Sequence, residues 1–223
     1  MNDVKKTIYI CGSSGMVGSS LIQHFKSKTS YTVISTNRDD LDLMEKQSVD
    51  SYFKNNSIDF MIIAAAKVGG IFANDTYPKD FIYNNLVIQN NLINAAHEHS
   101  LEKVIFLGSS CIYPKLSEQP IKEEYLLTGS LEPTNEPYAI AKIAGIKLCE
   151  SFNRQYGTDF RSLMPTNLYG PRDNFDYENS HVIPALLRKF YDAIDKKKDF
   201  VEVWGTGKPM REFLHVDRSE ERR

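Results

Sequence analysis

Short apolar runs alternate along this chain with longer stretches in which apolar positions recur every three or four residues. The runs are Thr7–Cys11, Tyr31–Ser35, Asp59–Ala65, Lys103–Gly108 and Phe160–Pro165, each of a length that suits a strand buried on both faces. Between them Met16–Lys28, Glu45–Asn55, Asp80–His99 and Pro137–Tyr156 carry helical spacing; Val17, Leu21 and Phe25 mark a stripe in the first. Strand–helix alternation of this kind requires crossover connections, and so predicts a doubly wound α/β fold with a parallel sheet covered on both faces. The stretch Asp80–His99 is apolar along two lines, one through Ile82, Leu86 and Ile93 and another through Phe81, Ile88, Leu92 and Ala95. A helix on a surface needs one such stripe, so the second reads either as a wide core-facing side or as a helix-on-helix dimer interface.

The regular alternation stops after Pro171. His181–Tyr191 has helical spacing, Phe200–Trp204 reads as a short strand and Gly205–Pro209 as a turn. We therefore divide the 223 residues into a dinucleotide-binding domain over 1–171 and the beginning of a smaller substrate-binding region over 172–223. Composition narrows the class of protein only slightly. With 41% hydrophobic and 25% charged residues the chain has the makeup of a folded globule. A net charge of −2 gives no basic footprint for nucleic acid, and no apolar run is long enough for a membrane span. The polar start, Met1 to Lys6, does not resemble a signal peptide. Cys11, Cys111 and Cys149 form neither a disulfide framework nor a metal-ligand spacing, which suits a reducing cytoplasm and a site without metal.

The first candidate chemistry follows the first strand. Gly12-Ser13-Ser14-Gly15-Met16-Val17-Gly18 lies between a strand and an amphipathic helix, the setting a dinucleotide fingerprint requires. Gly12 allows the tight turn, Gly15 lets a pyrophosphate approach the backbone, and Gly18 lets helix and strand pack closely, with the free N–H groups of the helix start facing the phosphates. The alternative is an ordinary glycine-rich turn. The second strand ends at Ser35 and runs on through Thr36 and Asn37 to Arg38, with no carboxylate at its end. A carboxylate there would grip the ribose 2′-hydroxyl of NAD, whereas an arginine suits the 2′-phosphate of NADP, so NADP(H) is the expected cofactor. A solvated loop arginine is the plainer reading of Arg38.

The second constellation is Tyr138-Ala-Ile-Ala-Lys142, which sets a tyrosine and a lysine one helical turn apart. Pro137 suits the first turn, with Thr134 or Asn135 as cap. A free tyrosine titrates near ~10, and bringing it to about 7 takes roughly 4 kcal/mol of preference for the phenolate. A neighbouring ammonium and a positively charged nicotinamide favour that form. Ser109 lies just past the fourth strand, at the sheet end where ligands bind in such folds, and there it can hydrogen-bond a substrate carbonyl while Tyr138 donates a proton.

Several longer strings carry a resemblance. They are Ala64-Ala-Ala-Lys-Val-Gly-Gly70, Gly108-Ser-Ser-Cys-Ile-Tyr-Pro114, Glu132-Pro-Thr-Asn-Glu-Pro-Tyr-Ala-Ile-Ala-Lys142 and Met164-Pro-Thr-Asn-Leu-Tyr-Gly-Pro171. Asn179-Ser-His-Val-Ile-Pro184 and Trp204-Gly-Thr-Gly-Lys-Pro-Met-Arg-Glu-Phe213 extend it. Together they resemble the GDP-L-fucose synthase family, extended short-chain dehydrogenases, over residues 6–217. The resemblance implies an NADPH-dependent enzyme that epimerises two ring carbons of GDP-4-keto-6-deoxy-D-mannose, C3 and C5, and reduces C4. Another nucleotide-sugar epimerase or dehydratase of this fold, or a catalytically inactive remnant, is the alternative.

Residue by residue, the resemblance makes Ser109, Tyr138 and Lys142 the reducing group, Cys111 the base of the epimerisation and His181 its acid. On its own, Cys111 reads as a small buried hydrophobe and His181 as a surface residue. Lys189, Trp204 and Arg211 become sugar-nucleotide contacts, and a guanidinium fork suits a diphosphate. Leu107, Gly108, Pro165, Asn167 and Leu168, with Lys142 and His181, fall around the nicotinamide, and a homodimer is implied as well. Two departures stand out. Ser14 occupies a place where the family usually has a basic residue, which leaves the 2′-phosphate to Arg38. After Asp217 comes the charge-dense Arg218–Arg223, whereas family members continue, so the chain reads as C-terminally truncated. A sixth parallel strand is then missing, and poor cofactor binding is expected.

Overall fold

Ile8, Ile10 and Ile62 point to one side of a sheet and Tyr9, Cys11, Met61 and Ile63 to the other, so both faces of these strands need apolar cover. The computed structural model describes residues 5–28, 30–177 and 179–218. Its main sheet holds five parallel strands, β1 (Lys6–Cys11), β2 (Tyr31–Ser35), β3 (Phe60–Ile63), β4 (Lys103–Leu107) and β5 (Phe160–Leu163), in the order β2-β1-β3-β4-β5. Register is continuous across it: Ile10 stands beside Ile62, Ile63 beside Phe106, and Phe106 beside Ser162. The doubly wound α/β fold expected from the alternation is what forms, and the order reverses between β1 and β3, where such sheets open a ligand crevice.

One face is covered by α2 (Lys46–Asn55), α4 (Pro78–Glu98) and α5 (Glu136–Tyr156), which enclose the larger core around Met61, Val104, Phe106 and Phe160. The other is covered by α1 (Met16–Lys26), whose Leu21, Ile22 and Phe25 lie on Ile8, Ile10 and Ile62. That cover thins over the last two strands, where Ile105 is half-buried and Leu163 is 52% exposed. Among the described residues β5 has no neighbour on its outer side. The double stripe of α4 has an explanation within the chain, since α4 packs along α5 with Phe81, Leu92, Ile93 and Ala95 buried.

Several sequence expectations need correction. A short helix, α3 (Ile71–Thr76), follows the third strand, and Ala64 and Ala65 belong to the loop before it rather than to the strand. Asn135 stands at the start of α5, but no side chain caps that helix. Glu132 instead caps the preceding 3-10 turn, Pro133–Asn135, by accepting from the Thr134 amide at 3.0 Å. Phe200–Trp204 is no strand, because no neighbouring strand pairs with its backbone; the Lys189 ammonium takes the Glu202 carbonyl at 3.1 Å. Two strands went unforeseen, β6 (Asn167–Tyr169) and β7 (Phe213–His215), which pair with each other in a separate parallel sheet. Neither joins the main sheet. The pair crosses the boundary drawn at residue 171, and Ser20 on α1 reaches Asp217 at 2.9 Å just beyond β7. The last helix, α6, runs Val182–Asp195. Met1–Val4 and residues 219–223 of the charged tail lie outside the described residues.

Candidate active site

The crevice between β1 and β3 is shaped by glycines. Gly12 has φ +87°, and a Cβ on it would meet the Ala65 amide nitrogen at 2.7 Å, so the turn after β1 lies directly on the loop after β3. A Cβ on Gly18 would stand 2.0 Å from the Gly12 carbonyl oxygen, which is the close approach of helix to turn read from the spacing. Gly15 differs: a Cβ there would meet only the Gly12 oxygen at 3.6 Å and otherwise project into open space. No side chain caps α1 and no acid stands in its first turn, so its leading N–H groups are left for an anion. Ser13, Ser14, Met16 and Val17 line this opening, half-buried except for the exposed Ser14. These features fit a dinucleotide pyrophosphate. The Ser13 hydroxyl donates to the Thr36 carbonyl at 2.7 Å, which fastens the glycine loop to the end of β2. Beyond it Asn37 turns the chain by accepting from the Asp39 and Asp40 amides, and Arg38 sits exposed on that turn. The arginine thus lies two residues beyond the carbonyl that fastens the glycine loop, with its side chain exposed.

At the ends of β4 and α5 the structure brings four of the expected residues together. Ser109 follows β4, and Cys111 lies in the 3-10 turn Ser110–Ile112. Tyr138 and Lys142 face them from successive turns of α5. The Ser109 hydroxyl interacts with both the Cys111 thiol and the Tyr138 phenol, and favours the ionised form of each. Lys142 is 4% exposed; its ammonium donates to the Leu107 carbonyl at 2.8 Å and lies 4.8 Å from the Phe106 ring centre and 5.8 Å from that of Tyr138. Burial lowers Lys142 to about 8. Burial also pushes the Tyr138 phenol up, with the Cys111 sulfur adding to the rise. The chain's own groups therefore do not bring the tyrosine toward 7, because burial and the Cys111 sulfur outweigh the help of the Ser109 hydroxyl. Burial raises Cys111 too, against the pull of Ser109 and Lys142. Leu107 and Gly108 close the floor, and Pro165 is half-buried behind them.

The remaining candidates are less tightly gathered. His181 is the exposed residue that opens α6, and its imidazole acts on the half-buried carboxyl of Asp173, which burial raises. The segment before it meets the loop that lies beside the central cluster: the Gly70 amide donates to the Asn179 carbonyl at 2.9 Å, and Phe81, beside Gly69, meets the Tyr138 ring edge-on at 6.2 Å. Asn167 donates to the Glu212 carbonyl at 3.0 Å, so Asn167 and the half-buried Leu168 are held by the β6–β7 pair. Lys189 stacks on Trp204, its ammonium 4.2 Å from the ring centre. Arg211 stands apart from both, exposed and donating to the Met210 carbonyl at 2.7 Å.

Two residues escaped the sequence reading. Asn85 accepts from the Lys67 amide at 2.8 Å and donates to the Lys67 carbonyl at 3.0 Å, clamping the loop that faces Gly12. Gln89, one turn on, donates to the Ala141 carbonyl at 2.7 Å. The available signal was a pair of amides four apart on the apolar side of a helix, since a buried polar group demands a partner.

Comparison with known proteins agrees with this geometry. Residues 8–217 match the NAD dependent epimerase/dehydratase family. The GDP-L-fucose synthase of Escherichia coli (strain K12) is 58% identical over 213 residues, which is 96% of this chain and 66% of that protein. GDP-L-fucose synthase 1 of Arabidopsis thaliana is 54% identical over 217 residues, 97% of this chain and 67% of its own length. A solved GDP-L-fucose synthetase from Naegleria fowleri bound to NADP gives a TM-score of 0.88 at 32% identity, covering 97% of this chain and 71% of that one. The chain spans about two thirds of the length of the curated relatives it matches. A parallel sheet with a glycine-lined crevice, a tyrosine and lysine on α5 and a match over residues 8–217 lead to one conclusion: this chain belongs to the NAD dependent epimerase/dehydratase family.

Proposed function

We propose that this chain carries the cofactor site and the catalytic cluster of a GDP-L-fucose synthase, which epimerises GDP-4-keto-6-deoxy-D-mannose at C3 and C5 and reduces C4 with NADPH. The observation that carries this reading is the thiol of Cys111 set among Ser109, Tyr138 and Lys142. A reductase alone needs the serine, tyrosine and lysine; a thiol on the same hydroxyl adds a base for protons α to a ketone. Cys111 removes such a proton, and His181 returns one to the other face. Ser109 then holds the C4 oxygen and Tyr138 protonates it, while Lys142 fixes the cofactor ribose. The reduced nicotinamide, when bound, would supply the hydride, and the positive charge left on the ring would favour the phenolate that Tyr138 becomes. Residues 1–171 hold the cofactor, and Lys189, Trp204 and Arg211 begin the sugar-nucleotide site over 172–223. The free cysteines support a cytoplasmic setting. Tyr83 and Ile140, exposed on α4 and α5, support a homodimer, which a single-chain mass in sedimentation would remove.

The test separates proton from hydride chemistry in single-turnover reactions in deuterated water, run on a full-length version of the protein. Cys111→Ser should lose solvent deuterium from the recovered sugar yet keep NADPH binding. Tyr138→Phe should slow reduction by about 10²- to 10⁴-fold, the range for a general acid, and leave exchange in place. Normal exchange in Cys111→Ser would remove the cysteine from the reaction.

NADPH should bind more tightly than NADH because no carboxylate ends β2 and Arg38 stands beyond it. Arg38→Ala should weaken NADPH alone, by about 1–3 kcal/mol for one charged hydrogen-bonding partner. Equal affinities in the unmodified chain would overturn the preference.

A further inference from the structure

Gln89 is 2% exposed, in the seam between α4 and α5. A hydrophobic residue of similar length would fill such a place without needing a partner, so the amide calls for a reason. Its Nε2 donates to the carbonyl of Ala141, the residue before Lys142, at 2.7 Å. One turn on, a Cβ at Gly145 would stand 2.5 Å from Phe106 Cζ and 2.9 Å from Gln89 Oε1. Gln89 and Phe106 therefore share the hollow that the missing side chain leaves. The same Phe106 ring lies 4.8 Å from the Lys142 ammonium, which reaches on to the Leu107 carbonyl. Lys142 is thus steadied from β4, and the turn of α5 that carries it is fastened from α4.

We propose that Gln89 is a positioning residue for Lys142: it ties down the Ala141 carbonyl and packs against Gly145 and Phe106, which sets where the lysine leaves α5. The inference borrows from the proposed function only the role of Lys142 in reduction. The groups facing Lys142 are the Cys111 thiol, the Tyr138 phenol with its Ser109 partner, the Phe106 ring and the Leu107 carbonyl. Gln89 itself is neutral, so replacing it takes no charge from this set. A changed titration of the lysine then reports a changed position.

The test uses Gln89→Met, which keeps the length and loses the amide, and Gly145→Ala, which displaces Phe106. Lysine 15N spectra, assigned with Lys142→Arg, follow the ammonium through a pH series. In the unmodified chain Lys142 should titrate near about 8. In both variants it should move upward by about one unit or more as water reaches it, out of the 3–5 units that full burial can impose. If Gln89→Met melts without cooperativity, Gln89→Asn, which keeps an amide too short to reach, is read in the same way. Lower melting temperatures with an unmoved Lys142 titration would make Gln89 a packing residue and overturn the inference. A full-length version with no reductase activity would contradict the proposed function and leave this titration result standing.

Discussion

Lys142→Met should abolish reduction yet leave the chain no less stable at pH 7, with a net gain of about 1–2 kcal/mol. Burial holds the folded lysine at about 8 against an ordinary 10.5. Between those values the unfolded chain binds more protons than the folded one, so stability rises with pH across that window. Below it the full burden of a buried ammonium is present. At pH 7 the difference amounts to about 3 kcal/mol, at 1.36 kcal/mol per unit. Methionine removes that burden but leaves the Leu107 carbonyl without its donor, which returns roughly 1–2 kcal/mol. The raised thiol of Cys111 and phenol of Tyr138 work in the opposite sense, because the folded chain holds those protons more tightly and loses stability as pH passes their ordinary values of 9.0 and 10.0. The buried Cys11 and Cys149 thiols and the Tyr9 phenol, also raised, add to that loss, so the unmodified chain should gain stability from about pH 8 to 9 and lose it beyond as these groups outweigh the lysine, while Lys142→Met shows only the loss. Urea unfolding at pH 7, pH 9 and pH 10.5 measures both. A variant several kcal/mol weaker at pH 7, with an unchanged pH profile, would show that the ammonium holds the fold together.

Gly18→Ala should cripple the fold as well as the cofactor site, whereas Gly15→Ala should harm only the second. The Gly18 Cβ would stand 2.0 Å from a backbone oxygen, and no rotamer change moves a carbonyl aside. Either α1 lifts from the turn or the turn deforms, and we expect a loss of about 3 kcal/mol, at the upper end for overpacking. For a chain of this size that corresponds to a fall of roughly 6–12 °C in melting temperature. At Gly15 the new methyl meets open space, so stability should stay within about 0.5 kcal/mol. NADPH affinity should nonetheless fall by about tenfold or more, roughly 1.4 kcal/mol, because the methyl occupies the pyrophosphate's path. Equal melting temperatures for the two variants would refute this division of roles.

Strands β1 and β3 were legible because both of their faces are buried, which leaves continuous apolar runs such as Ile8–Cys11 and Met61–Ile63. The glycine loop and the Tyr138–Lys142 pair were legible because their spacing is local. What the sequence hid depends on contacts made far along the chain. Strand β6 has no apolar run of its own and exists because β7 comes to lie beside it, while Thr166 and Asn167 reach the Glu212 carbonyl. Phe200–Trp204 has strand-like residues, but among the described residues no strand pairs with it. The destination of the Lys142 ammonium was hidden too: spacing aims it at Tyr138, and only the fold reveals that the Leu107 carbonyl takes it first.

The strand order also governs how the chain assembles. β2 is made next after β1 and pairs with it; β3 adds to the other side of β1, β4 to β3 and β5 to β4. Each strand emerges to find its neighbour already in place, so the main sheet grows outward in the order of synthesis, which proceeds from the N-terminus. β6 is the exception. It is made before its partner and must wait through the whole of α6 and the loop after it, an interval whose closure entropy alone comes to about 3 kcal/mol. The crevice between β1 and β3 is thus complete early, while the strand carrying Asn167 and Leu168 is among the last pieces to set.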